Sequence, residues 1–477
     1  MVPIVFVVSC RRPIHVPIEK KPASNGDPQG APQIVPAAEP TPLKSPNIIF
    51  ILTDDLSINL LQFMPHVLKM ERNGATFTNY FVTDSLCCPS RSSIFTGEFP
   101  HNTKVFGNLE PDGGYGGFNA HGNEPNTFAV ALQRIGYKTA MLGKYLNGYE
   151  PTRNGGAMGW NEWDVAGLAY HEFNYALNEN GKVVFYGKQR RDYLTDVLSR
   201  IGVKFIQKSK ESPFFMEIAT FAPHSPYIPA PRDAGAFVGL IAPHTPAFDA
   251  APDANAPKWL TRFPPLSASD MVSINRKFRL RARSVLAIDQ MIGNLRAAIA
   301  AAGLDNDTYF IFSSDNGLHM GEHRLMPGKM TAFDTDIHVP LVVTGPGVAP
   351  HVIGEIAENT DLCATFAELT GAGVPATVDG RSLVPLIRGQ HVPEWRTLAL
   401  IEHHGPLNRL TEDDDPDVPA KRSGNPPTYE AIRARDSVYV EYDDGTRGIT
   451  TTQAIRTSCG ILSRSSRPGP RRPSMPR

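Results

Sequence analysis

Two groups of hard oxygen ligands stand directly behind apolar runs in this 477-residue chain. Asp54 and Asp55 follow Asn47 to Leu52, and Asp315 and Asn316 follow Tyr309 to Ser314. If both runs are strands of an open α/β sheet, these residues lie at strand carboxyl ends, where such sheets bind ligands. Either pair alone is also what an ordinary turn or cap uses. Together they offer carboxylates and an amide oxygen, suited to Ca²⁺ or Mg²⁺ and unsuited to a thiolate-seeking metal. A further segment, Ser85 to Gly97, contains Cys87-Cys88-Pro89-Ser90-Arg91. Pro89 suits the first turn of a helix, whose unpaired N–H groups and positive dipole end would receive an anion. Taken without its company, the same segment is a buried cysteine pair beside a helix cap.

The elements that must position these residues are legible as patterns. Asn47 to Leu52 is a continuous β-branched and aromatic run, the mark of a parallel strand buried on both faces. Similar runs recur at Phe214 to Phe221, Tyr309 to Ser313 and Pro340 to Thr344. Helical patterns such as Phe128 to Ile135 and Phe278 to Ala301 lie between them. The alternation predicts an α/β sandwich on one large, mostly parallel sheet. From about Trp395 short strands follow (Leu398 to His403, Glu430 to Arg433, Ser437 to Tyr442) around a polar loop at 405–428, which predicts a small C-terminal antiparallel subdomain.

With 41% hydrophobic and 20% charged residues the chain is neither disordered nor fibrous. A formal net charge of −1 gives no global field toward nucleic acid, so any anion binding is local. Beyond residue 10 no apolar run is long enough to span a bilayer. Five scattered cysteines do not make a disulfide framework.

Residues 1–12 open on an apolar stretch ending at Cys10, similar to the tail of a bacterial lipoprotein signal in which Cys10 would be lipidated, although no positive segment precedes it. Residues 13–46 hold nine prolines, a tether composition. These features predict an extracytoplasmic domain on a linker (13–45), with a catalytic domain over 46–394 and the small subdomain over 395–447. Residues 448–477 carry six arginines and no acid, and read as a disordered tail.

The cysteine segment resembles the signature of the type I sulfatases, the family that converts the first cysteine of Cys-x-Pro-Ser-Arg to Cα-formylglycine. Gly136 to Leu146 resembles the second sulfatase signature. Ala222-Pro223-His224-Ser225-Pro226 resembles the loop of the catalytic histidine. Asp315-Asn316-Gly317, then Gly321-Glu322-His323 and Lys329, resembles the metal pair and the second sulfate-binding lysine. Gly143 to Asn147, Cys87 to Arg91 and Phe99 to Asn102 look most like the N-acetylglucosamine-6-sulfatase and heparan-sulfatase branch. Many sulfatases place a histidine where this chain has Leu146, which shifts weight to His224, with His319 and His323 as candidate helpers. Trp160 and Trp163 are candidates either for a sugar face or for the core.

The resemblance implies an alkaline-phosphatase-like fold and hydrolysis of a sulfated carbohydrate or aryl sulfate. It implies one Ca²⁺ held by Asp54, Asp55, modified Cys87, Asp315 and Asn316. A formylglycine-generating or anaerobic sulfatase-maturating enzyme would act on Cys87. Arg91, Lys144 and Lys329 would balance sulfate charge and His224 would protonate the departing alcohol. Two alternatives remain: a phosphate or phosphonate monoester hydrolase on the same scaffold, and a non-catalytic sulfated-glycan-binding relative. Sulfatases of this branch resemble one another in ending with a tyrosine-rich strand and an Asp-Pro-x-Glu-Leu segment. Codons for Ala454 to Ile461 can spell such an ending in another frame, which suggests a frame slip near Gly448.

Overall fold

The computed structural model describes residues 45–252, 256–405 and 422–451. Cys10, the segment 13–44, the loop 406–421 and the tail beyond Thr451, with its frame-slip window, lie outside the described residues. In chain order the strands are β1 (Asn47–Thr53), β2 (Ala75–Phe77), β3 (Tyr80–Phe81), β4 (Lys138–Lys144), β5 (Glu162–Ala166), β6 (Tyr175–Glu179), β7 (Lys182–Tyr186) and β8 (Phe214–Ala219). They continue with β9 (Thr308–Ser314), β10 (Leu341–Thr344), β11 (His351–Ile353), β12 (Ala357–Glu358), β13 (Leu398–His403), β14 (Tyr429–Ala434), β15 (Ser437–Tyr442) and β16 (Arg447–Thr451).

Ten strands form one sheet in the order β11-β2-β10-β9-β1-β8-β4-β5-β6-β7. Its centre, β9-β1-β8-β4, is wholly parallel. All seven residues of β1 are buried because both faces are covered. Ile48, Phe50 and Leu52 join the core beneath the helices Cys87–Thr96, Phe128–Arg134 and Asp361–Thr370, while Ile49 and Ile51 face Leu194–Ser209 and Ala268–Ala301. Four neighbouring parallel strands therefore deliver their following residues to one edge of the sheet.

Three details differ from the patterns. The apolar run at 340–344 gives β10, which is antiparallel to both β9 and β2. A run of this kind reports burial on two faces and not direction. The long helix begins at Ala268, ten residues before Phe278, and is opened by a capping box in which Asp270 N–H donates to Ser267 Oγ at 3.2 Å and Ser267 N–H to Asp270 Oδ2 at 2.9 Å. The third difference corrects the expected start of the tail at 448. Arg447–Thr451 is a strand paired with β15, Gly448 opposite Val440 and Ile449 opposite Tyr439. Asp444-Gly445, with Gly445 at φ 79°, turns the chain back, and the edge of β15 then pairs the backbone of the returning segment whatever its side chains.

The small sheet β13-β14-β15-β16 has no core of its own. Ile401, Tyr429, Ala431, Val438 and Val440 are buried in the same cluster as Phe81 and Ile337. No helix among the described residues is long and apolar enough to cross a membrane.

Candidate active site

The carboxyl ends of β1 and β9 are pinned side by side: Asp315 N–H donates to Thr53 O at 3.0 Å and Asp55 N–H to Asp315 Oδ1 at 3.2 Å. Asp55 adopts φ 62°, uncommon for a residue with a side chain. Its carbonyl accepts from Arg281, a fully buried arginine of the long helix that also donates to Ser57 Oγ at 3.2 Å.

Cys87 is the first residue of a ten-residue helix that is buried throughout. Helix termini leave N–H groups unsatisfied, and here that end faces the strand ends. The Cys87 thiol lies 3.0 Å from Asp54 Oδ1 and accepts from Lys329 Nζ at 3.0 Å. Lys329 also donates to Asp55 Oδ1 at 2.7 Å. Lys144, last residue of β4, donates to Asp54 Oδ2 at 2.6 Å, and its ammonium sits 5.0 Å from the centre of the Tyr170 ring. Arg91, one turn into the helix, reaches Asp315 Oδ2 at 2.8 Å and the carbonyl of Lys144 at 2.9 Å. The next cysteine is different. Cys88 turns into the core, and burial pushes its thiol up to about 12.

His224 follows β8. Its Nδ1 meets the carbonyl of Ser225 at 2.7 Å, and because a carbonyl only accepts, that nitrogen carries the proton. Nε2 then faces the site, 3.6 Å from Asp55 Oδ2. The ring rests against Tyr170, centroids 4.5 Å apart. Burial pushes Asp54 up to about 6 despite Lys144. Asp315 goes the other way: burial opposes its charge, but Arg91, with Lys144 and Lys329, holds it down at about 2.

All nine expected residues meet here, none more than 4% exposed, so none is a surface charge. Ligand atoms of Asp54, Asp55, Cys87 and His224 lie within 4.8 Å of one another. Asp315 spends its oxygens on Arg91, Asp55 N–H and Asn316 N–H. The amide of Asn316 donates to Asp55 Oδ1 at 2.7 Å, and its buried Oδ1 has no hydrogen-bond partner among the described residues. An oxygen left in that state beside two carboxylates fits a hard divalent cation.

His319 and His323 serve structure. His319 bridges Asp336 at 3.0 Å and Ser423 O at 2.8 Å, and His323 packs on Phe333. Trp163 is buried with its Nε1–H on Tyr149 Oη at 2.8 Å, and Trp160 packs against Phe95 and Phe128. Both tryptophans belong to the core. Tyr170, Arg281 and Asn108, whose Oδ1 accepts Cys88 N–H at 3.0 Å, are absent from the sequence-based set. No spacing rule announces them, since each reaches the site from a distant loop or helix. A cavity of about 600 Å³ opens outward from Lys144 and Phe221 between Tyr115, Tyr149 and Tyr170.

A mostly parallel α/β sandwich thus gathers carboxylates, an amide, a cysteine, a histidine and three buried cations at its strand ends. Residues 46–372 match the Sulfatase family model. The N-acetylglucosamine-6-sulfatase of Homo sapiens is 34% identical over 431 residues, 84% of this chain and 77% of that one. The chain belongs to the sulfatase family, and it is a sulfuric ester hydrolase. Its fold is also that of a protein solved in complex with its substrate D-glucosamine-2-N,6-O-disulfate, at TM-score 0.73, 22% identity and 87% and 93% coverage of the two chains. The phosphonate monoester hydrolase of Silicibacter pomeroyi gives TM-score 0.63, 20% identity and 87% and 92% coverage.

Proposed function

We propose that this sulfatase releases inorganic sulfate from a 6-sulfated amino sugar, with Cys87 oxidised to Cα-formylglycine by a maturating enzyme and one Ca²⁺ held by Asp54, Asp55, residue 87 and Asn316, with Asp315 beside them. The observation that carries this reading is the placement of Cys87: a helix N-terminus aimed at the strand ends, with Asp54 and Lys329 each 3.0 Å from its sulfur. The hydrated aldehyde would supply a hydroxyl that attacks sulfur and a second that allows sulfate to leave, and the cation would act as Lewis acid toward sulfate oxygen. Lys144 and Lys329 flank residue 87 from two sides and balance charge on the sulfate oxygens. Arg91 fixes Asp315 and the end of β4, which sets the position of Lys144. His224 Nε2, oriented by the Ser225 carbonyl, gives a proton to the departing alcohol when the ring is charged. The similarity to an N-acetylglucosamine-6-sulfatase supports the amino sugar. On the reading of Cys10 and the tether the enzyme works outside the cytoplasm, which cell fractionation tests.

The test is a peptide mass map over residues 85–97 of active protein. A carbonyl oxygen in place of the Cys87 sulfur supports the reading, and a purely thiol population that still hydrolyses aryl sulfate would sink it. The shared fold with a phosphonate monoester hydrolase favours a second assay, on phosphonate monoesters. Turnover of these above aryl sulfate would move the assignment to phosphorus.

A further inference from the structure

The cavity leading to Lys144 has walls of a consistent kind, and it is larger than a sulfate needs. Its volume of about 600 Å³ is that of a small-molecule pocket. The rings of Tyr115 and Tyr149 stand edge to face, 5.5 Å apart, and Tyr149 Oη is held by Trp163 Nε1 at 2.8 Å and Asn178 Nδ2 at 2.9 Å. That wall is rigid and can take a sugar ring.

Apart from Lys144, the charged side chains facing the same space are carboxylates. Glu110 and Glu150 line the cavity, and Lys144 is its only basic side chain among the described residues. Lys144 is already committed to Asp54. Glu150 is partly balanced by Arg153, 3.2 Å away in an exposed pair, whereas Glu110 has no ion-pair partner among the described residues. Glu110 is seated: its Oε1 occupies the space that a side chain on Gly116 would fill. Asn147, 8% exposed, also lines the cavity; its Nδ2 donates to Tyr170 Oη at 3.2 Å, while its Oδ1 is buried without a hydrogen-bond partner among the described residues. Such an oxygen calls for a donor.

We propose that Glu110, with Glu150 and Asn147, selects substrate by the charge of the substituent on the sugar nitrogen, favouring an ammonium over an acetamido group and strongly disfavouring an N-sulfo group. The inference rests on the sulfatase reading above and deepens it. A second anion entering this cavity meets two carboxylates and no uncommitted cation among the described residues. An ammonium meets acceptors and opposite charge. Discrimination arises from repulsion of the wrong ligand as much as from attraction of the right one.

The experiment uses the matured full-length protein. kcat/KM is measured for glucosamine-6-sulfate, N-acetylglucosamine-6-sulfate and D-glucosamine-2-N,6-O-disulfate, with 4-methylumbelliferyl sulfate as a probe that carries no amino sugar. The disulfate should be turned over roughly tenfold or more below glucosamine-6-sulfate, a difference of about 1.4 kcal/mol. Glu110→Gln should raise the ratio of disulfate to monosulfate kcat/KM several-fold, Glu150→Gln should raise it less, and added salt should narrow the wild-type discrimination. Intact aryl sulfate turnover with equal or better hydrolysis of the disulfate overturns this proposal alone, as does a ratio that neither variant changes. Loss of sulfate release from all four compounds overturns the sulfatase reading and this inference with it.

Discussion

At the carboxyl ends of β9, β1, β8 and β4 the chain buries three carboxylates, two lysines and an arginine in contact with one another, while the small sheet β13–β16 buries mostly apolar side chains in the shared core. The first region holds its charges by pairing each with another, as Lys144 with Asp54, Lys329 with Asp55 and Arg91 with Asp315. Buried pairs of this kind return little net stability, because desolvation opposes their attraction. The second region supplies none of the nine site residues, yet it touches the loops that carry them. Tyr429 Oη donates to Met330 O at 3.2 Å, next to Lys329, and Arg433 forks onto Asp334 at 2.8 and 2.9 Å. Glu402 N–H donates to Thr83 O at 2.8 Å, four residues before Cys87. Chemistry and bracing are therefore separated along the chain, and mutations in the two regions should fail in different ways.

The largest expected effect lies at the first region's centre. Cys87→Ala should abolish sulfate ester turnover while leaving the melting temperature near that of the parent. Cys88→Ala, one residue on, should keep most turnover and lose about 1 kcal/mol or more of stability through a small cavity. Aryl sulfate kinetics and urea unfolding on both variants read the two quantities, and the opposite pattern would mean that the reactive cysteine is misassigned.

Chelation comes next. Removing divalent cations should eliminate activity, and Ca²⁺ or Mg²⁺ should restore it. Calcium at a hundred times its dissociation constant should stabilise the folded state by about 2.7 kcal/mol. Calorimetry with and without chelator measures this. Recovery with Zn²⁺ alone, at two ions per chain, would favour a phosphatase-like centre.

In the bracing region the expected loss is of stability. Arg433→Ala leaves the buried Asp334 carboxylate without its partner and should cost about 3–5 kcal/mol. The folded fraction should retain a KM for aryl sulfate close to the parent's. A variant that unfolds normally but loses its kcat would show that the small sheet takes part in the chemistry.

The contrast also explains what the sequence made legible. β1 and β9 are continuous apolar runs followed by acidic residues, and the cysteine, lysine and histidine segments are contiguous, so fold class and candidate site were readable from local order. Direction was not. β10 carries the same apolar code as a parallel strand and runs antiparallel. β16 is a strand because β15 offers it an unpaired edge, which composition cannot reveal. Arg281 stands two residues from both Arg279 and Arg283, a spacing that puts its neighbours on other faces of the helix, and it is fully buried under Asp55. Glu110, Asn147 and Tyr170 come from loops whose partners are chosen only when the sheet is assembled. The capping box Ser267–Asp270 is a local signal that apolar periodicity overlooks.

The expected effect that appears only as pH is varied concerns Glu217, in the middle of β8, where catalytic machinery and core meet. Both its carboxylate oxygens are buried without hydrogen-bond partners among the described residues. Burial pushes the group up to about 8, and Arg91 pulls it back only in part. In an unfolded chain a glutamate titrates near about 4.3. A carboxyl raised on folding favours the protonated native state, so its contribution is fully present below the unfolded value and is lost as pH rises through the folded one. Between about pH 5 and 8 this group should therefore lower stability as pH increases, by at most about 1.4 kcal/mol per pH unit. Glu217→Gln fixes the neutral form and should flatten that slope, so that the variant gains on the parent as pH rises. Urea unfolding of both proteins at each pH unit across the window measures the difference. If instead the parent gains on the variant toward pH 8, the ionised carboxylate is acting as a second partner for Arg91, and the charge pairing described for Asp315 extends one layer deeper into the sheet.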